Sequence, residues 1–201
     1  MIQTLFEKAS LEPDLASALL TETQTISQYQ SIGAAAYRNQ PHVVRYLLTQ
    51  KHVDISSHLH HRTLNDKMNV VHCAAKSKNP VILRMLVKKF PSGVNDMTDG
   101  GDTPLNLLVF GASASVEAVR VLVEDGNADV NLTRGGAWYG PLRTAIRSGN
   151  VEVCRYLVSC GAHVDDAMEV DTVSGDLRLK DSLERPDAEA SKRILEVLVD
   201  M

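Results

Sequence analysis

Asp102-Thr103-Pro104-Leu105-Asn106-Leu107-Leu108 is the stretch whose reading decides the fold, because its pattern returns three more times. Gly140-Pro141-Leu142-Arg143-Thr144-Ala145-Ile146 shares its frame, as do Asn69-Val70-Val71-His72-Cys73-Ala74-Ala75 and Ser31-Ile32-Gly33-Ala34-Ala35-Ala36. Each is followed by a turn and then by an apolar run whose third residue is basic: Arg45, Arg84, Arg120 and Arg155. Taking the last small or apolar residue of each first element as anchor gives Ala36, Ala75, Val109 and Ile146, at steps of 39, 34 and 37. One more step of 37 lands on Leu183, and a final apolar run at 194–199 completes a fifth unit. Self-similarity at such a period is the signature of a repeat architecture. Ahead of the units, residues 5–9 and 14–20 read as a helical pair, with Pro13 placed to open the second helix.

The physics of one unit explains its residues. Thr103 can cap a helix with its hydroxyl, and Pro104 fits the first helical position, where a missing N–H costs nothing. A small pair such as Ala74-Ala75 lets that helix approach its neighbours. Gly149-Asn150 and Asn79-Pro80 break the chain before a second helix. Gly126 and Gly161 are expected to end the second helices in the left-handed conformation, and Asn131 and Asp165 to start the extended turn into the next unit. One such unit cannot bury its own apolar face, so the units must stack. His72, beside this turn, reads as a structural tie between turn and helix.

The period and the order Thr-Pro-Leu-x-x-Ala-Ala, then Val-Val-x-x-Leu-Leu, resemble ankyrin repeats. The resemblance covers roughly residues 28–201 and is sharpest at Thr103-Pro104-Leu105, at 126–131 and at 149–165. It implies an all-α solenoid of helix–turn–helix units joined by hairpin-like loops. We therefore expect a single domain over 1–201: a helical pair at 1–27, then about five repeats over 28–201, the last a degenerate cap. Three connections depart from the pattern and are longer than the family's: 56–69, 111–115 and the acidic 165–177.

Charge is unevenly placed along the chain. Residues 1–93 carry 11 Lys+Arg against 6 Asp+Glu, and residues 94–201 carry 10 against 19, within a net charge of −4. That balance argues against nucleic acid, where a basic footprint is expected, and suits a partner of basic character at the acidic C-terminal half. The three cysteines, Cys73, Cys154 and Cys160, show no metal spacing and fit a reducing compartment. No basic-then-apolar leader and no bilayer-length apolar run is seen, so the expected location is intracellular, cytoplasmic and/or nuclear, with no membrane contact.

No catalytic constellation emerges. Gly100-Gly101 and Gly135-Gly136 are lone pairs in connecting loops, which is turn chemistry rather than a phosphate cradle. Cys73 reads as a small core residue. The cluster His58, His60 and His61, with His52 nearby, has no Cys or acid to complete a zinc set, and reads instead as a solvated or partner-facing loop that gains charge below neutrality. No catalytic residue, metal or cofactor is expected.

The resemblance implies a non-catalytic module that binds a partner protein, as a monomer, through hairpin tips and exposed positions of the first helices. Carried over by position, those are Tyr37, Arg38, Lys76 and Arg147 on the helices, and Asp99 and Asp102 at a tip. A further tip, 134–139, sets Trp138, the only Trp, beside Tyr139 and near Arg134. Trp, Tyr and Arg dominate interface hot spots. The other role the scaffold admits is a regulatory or substrate-recruiting domain of a larger protein, such as a ubiquitin-ligase receptor, an enzyme's targeting module or a pathogen effector. Trp138→Ala is expected to lose partner binding while the melting temperature stays within a few degrees. A large fall in melting temperature would make Trp138 a packing residue instead.

Overall fold

A computed structural model describes residues 31–49, 62–63, 66–111, 113–133, 140–164, 168–170, 177–179 and 196. The expected N-terminal helical pair, the histidine cluster around His58 and nearly all of the fifth unit lie outside the described residues.

Within them the sequence period becomes four helical hairpins. Helices α1 (Ser31–Tyr37) and α2 (Pro41–Thr49) form the first, α3 (Val70–Ser77) and α4 (Pro80–Lys89) the second. The third pairs α5 (Pro104–Val109) with α6 (Val116–Arg120), which runs on as a π-helical turn, Val121–Asp125. The fourth is α7 (Pro141–Arg147) with α8 (Val151–Ser159). The first helix of each hairpin stacks on the next, α1 on α3, α3 on α5 and α5 on α7, and the second helices form a parallel outer layer. The anchors Ala36, Ala75, Val109 and Ile146 are all buried in one continuous apolar core with Val44, Leu83, Leu122 and Leu157. The helical repeat solenoid expected from the sequence is what the described helices form.

The caps follow the sequence. The Thr103 hydroxyl accepts from the Asn106 N–H at 3.2 Å, and Pro104 opens α5. The Asn79 side chain caps α4 and Asn150 caps α8. Between the two helices of each hairpin one residue takes a positive φ: Asn39, Lys78, Gly111 and Gly149. The longer turn in the third hairpin is pinned from both sides. Lys78 Nζ donates to the carbonyl of Phe110 at 2.7 Å and to Ser113 Oγ at 2.8 Å. On the other side, Gly111 N–H donates to Ser148 Oγ, and Asn150 Nδ2 to the Ala114 carbonyl, each at 2.7 Å.

The outer arginines have a structural use. Arg84 reaches forward one unit to Asp125 at 3.2 Å, and Arg120 pairs with Glu124 at 3.3 Å while lying 5.5 Å from the Tyr156 ring centre. These pairs are half exposed, so each contributes well under ~1 kcal/mol.

One expectation is corrected. Gly161 does end its helix at φ +87°, but Gly126 does not adopt the left-handed conformation. Asn127 does, at φ +53°. The third unit has one more residue between its outer arginine and the following Asn131 than the fourth has between Arg155 and Asp165, and the π turn absorbs it. The Gly126 N–H bonds the Val121 carbonyl five residues back, and Ala128 N–H bonds the Leu122 carbonyl. Gly126 is needed for space: a Cβ there would sit 2.6 Å from the Leu122 carbonyl oxygen and 3.1 Å from Val87 Cγ1. The long connection after the fourth hairpin carries a pairing that the sequence did not show: Met168–Val170 (β1) and Leu177–Leu179 (β2) pair antiparallel.

The two neighbours should thus respond differently to substitution. Gly126→Ala should destabilise by about 1–3 kcal/mol, because backbone must shift to admit the methyl. Asn127→Gly should stay within about 0.5 kcal/mol of the parent, since glycine takes positive φ freely. Urea unfolding of both variants measures this, and equal losses would contradict the assignment.

Candidate functional site

The residue after each anchor marks the C-terminal end of a first helix. In the four units those residues are Tyr37, Lys76, Phe110 and Arg147, and all four are exposed. Aromatic and cationic side chains therefore alternate along one row. Tyr37 is 44% exposed and Phe110 71%; with Val81 they are the large apolar side chains left open among the described residues. Lys76 Nζ lies 6.0 Å from the centre of the Tyr37 ring, a weak cation–π contact between neighbouring units. Arg38 follows Tyr37 and is also exposed.

Beside this row is a groove of about 410 Å³. Its walls are Lys76 from α3, Leu107 and Phe110 from the α5 segment, Thr144 and Arg147 from α7, and Asp102 from the preceding loop, with Asn106 beneath. The sequence explains its position. Helix α5 ends at Val109, while α3 runs two residues past its anchor and α7 one. Phe110 leaves the helix in an extended conformation, with ψ 121°, and its side chain stands at the rim.

The loop that carries Asp102 is fixed by buried polar groups. Thr98 N–H donates to the Asp102 carbonyl at 2.9 Å, and Asp102 N–H to Thr98 Oγ1 at 3.1 Å, with Gly101 supplying the left-handed residue between them. The Asp102 carbonyl also meets His72 Nε2 at 3.2 Å. His72 Nδ1 in turn accepts from the Asn69 N–H, which caps α3 reciprocally, since Asn69 Oδ1 accepts from Val71 and His72 N–H. Asn69 Nδ2 donates to the Gly93 carbonyl and to Asp96, each at 2.8 Å, and Asp96 is held by Arg62 at 2.7 Å. His72 thus ties turn to helix, as its sequence position implied. The neutral Nε2–H tautomer meets both demands, donating to the carbonyl and accepting from the amide. Burial pushes His72 down to a pKa of about 4.

Of the residues carried over from the sequence, Lys76, Asp102 and Arg147 come together around one groove, with Tyr37 and Arg38 on the same row. Asp99 stands exposed on the tip, its N–H donated to the Asp66 carbonyl at 3.1 Å. Asp102 does not point away as a free tip. Its carboxyl is half-buried in the groove wall, and burial raises its pKa while Lys76 works against the rise. Arg134, Trp138 and Tyr139 lie outside the described residues. Phe110 and Leu107 were missed by the sequence reading, although Phe110 occupies the frame position of Lys76 and Arg147.

Cys73 packs in the core, and burial raises its thiol to about 12, so it stays protonated and unreactive. Among the described residues no group of His, Cys, Asp or Glu could hold a metal ion, and no helix is long and apolar enough to cross a membrane.

The ankyrin-repeat family model of three copies matches residues 32–134, and the single ankyrin-repeat model matches 139–168. No curated protein matches the chain at a significant level.

The buried His72 makes stability pH-dependent. Above pH 6.5 the ring is neutral in both folded and unfolded chains. As pH falls from 6.5 to about 4 the unfolded chain takes up a proton that the folded chain refuses, so stability falls, by about 3 kcal/mol at most. His72→Gln, although less stable at neutral pH, should show a shallower fall over that window. Chemical denaturation at stepped pH checks it, and parallel slopes would remove His72 as the cause.

Proposed function

The chain belongs to the ankyrin-repeat family, and on that premise we propose that it is a non-catalytic adaptor or scaffold that holds a partner protein along the row Tyr37, Lys76, Phe110 and Arg147. Ankyrin repeats are generally protein–protein interaction modules. One observation carries the surface assignment. Two of the three large apolar side chains exposed among the described residues, Tyr37 and Phe110, stand at the same position of their units, and Phe110 lines the groove. Aromatic side chains flanked by charge are what interface anchors consist of. The tip 134–139, with Trp138, Tyr139 and Arg134, belongs to the same surface in this reading, as does Asp99. The acidic 165–177 connection calls for a basic segment of the partner, through charge complementarity that steers association.

A photo-crosslinking amino acid placed at Tyr37 or Phe110 should capture the partner, and one placed at Arg155 on the outer layer should not. Crosslinks from Arg155 with none from the row would move the interface to the outer helices.

A further inference from the structure

The alternation along the row has a chemical reading more specific than partner binding, and it rests on the interface assigned above. We propose that the groove under Phe110 seats a segment of the partner in polyproline II conformation, with a large apolar side chain flanked on both sides, about three residues away, by Asp or Glu. Three features carry this.

The first is spacing. Stacked helices lie about 8–10 Å apart, and a polyproline II chain advances about 3.1 Å per residue with about three residues per turn, so one step along the solenoid corresponds to about three residues of ligand, whose side chains share a face. Lys76 and Arg147 stand one unit either side of Phe110, since α3 and α7 both pack against α5. A ligand side chain seated at Phe110 therefore has its third neighbours near the two cations.

The second is the balance of polarity. Leu107 is half-buried and Phe110 exposed, giving an apolar seat that the polar residues around it leave open. At about 410 Å³ the groove has room for one large side chain with part of its backbone. Both flanking groups are cations at helix C-terminal ends, where the helix dipole already favours positive charge.

The third separates a peptide from a nucleic acid, which aromatic and basic residues in alternation could otherwise suit. Asp102 lies in the wall between the cations and would repel a phosphate chain, whereas its carboxyl can accept N–H groups of an extended peptide.

The test is selection of a random peptide library on the full chain, repeated on Phe110→Ser and on Lys76→Glu with Arg147→Glu. All three positions are exposed, so melting temperatures should match the parent. Peptides enriched on the parent should carry Asp or Glu about three residues either side of a large apolar residue, and should lose about tenfold or more in affinity on each variant. The double charge reversal should instead enrich Lys or Arg at the flanking positions, an outcome that generic loss of fold cannot produce. No enrichment, enrichment of basic flanks on the parent, or affinities unchanged in the variants would each overturn the proposal. Tighter binding of an oligo-dT probe than of the enriched peptides would transfer the row to nucleic acid. The two readings fail separately: crosslinks from Tyr37 and Phe110 without the charge preference remove only the peptide chemistry, while crosslinks from Arg155 alone remove the interface beneath it.

Discussion

The fold depends on how closely the first helices approach one another. Ala35 and Ala36 on α1 and Ala74 and Ala75 on α3 are almost wholly buried. Small side chains at these positions let each hairpin bury the face that it cannot cover alone. The third and fourth units carry Leu108-Val109 and Ala145-Ile146 instead, and α5 and α7 touch less than α1 and α3 do. The groove opens in that more loosely stacked half, where α5 also stops early. Packing of the core and shape of the surface are therefore one problem here.

Polar groups set the register that the apolar stack alone would leave loose. Asn95 and Asn131 each donate through Nδ2 to a carbonyl of the next unit and accept through Oδ1 from an N–H two residues further on: Asn127 and Asp129 for the one, Gly161 and His163 for the other. Asn79 bonds Asn39 across the turns on the opposite side. Each bond is modest, at about 1 kcal/mol, but each pair accepts only one alignment of neighbouring units. Asn69 and His72 do the same inside the core, where an unpaired group would cost more than the bond returns.

The sequence carried the frame because the frame is periodic. Four anchors and the four outer arginines recur at matching positions, and a recurring pattern can be checked against itself. What was not legible lay where one unit differs from the rest. Gly126 looked like the partner of Gly161 because both precede Ala by one or two residues, and only the π turn reveals that Asn127 fills that position. The pairing of β1 with β2 was hidden in a connection for which no other unit offers a template. Phe110 was hidden for a different reason. The turn insertion begins at the next residue, so the position read as loop, yet counting one past Val109 places it beside Lys76 and Arg147. The Asp102 side chain could not be placed either, since a hairpin tip and a groove wall differ by a rotation that only the Thr98 and His72 bonds decide.

The insertion and the charge row have a common origin. Lengthening the third turn costs hydrogen bonds at the end of α5, where the last carbonyls have no helical partner. Lys78 repairs this from the second unit by reaching the Phe110 and Gly111 carbonyls, and Ser148 repairs it from the fourth by accepting from Gly111 N–H. Burial lowers the Lys78 pKa, and its donors are spent on the turn. Lys76 and Arg147, two positions from Lys78 and one from Ser148, stand exposed at the surface. The same two neighbouring units that brace the irregular turn thus also place a cation on each side of the aromatic residue it exposes. Shortening the turn to the length of the others would remove the need for the brace and would return Phe110 to a helix end, closing the groove from which the two cations take their meaning.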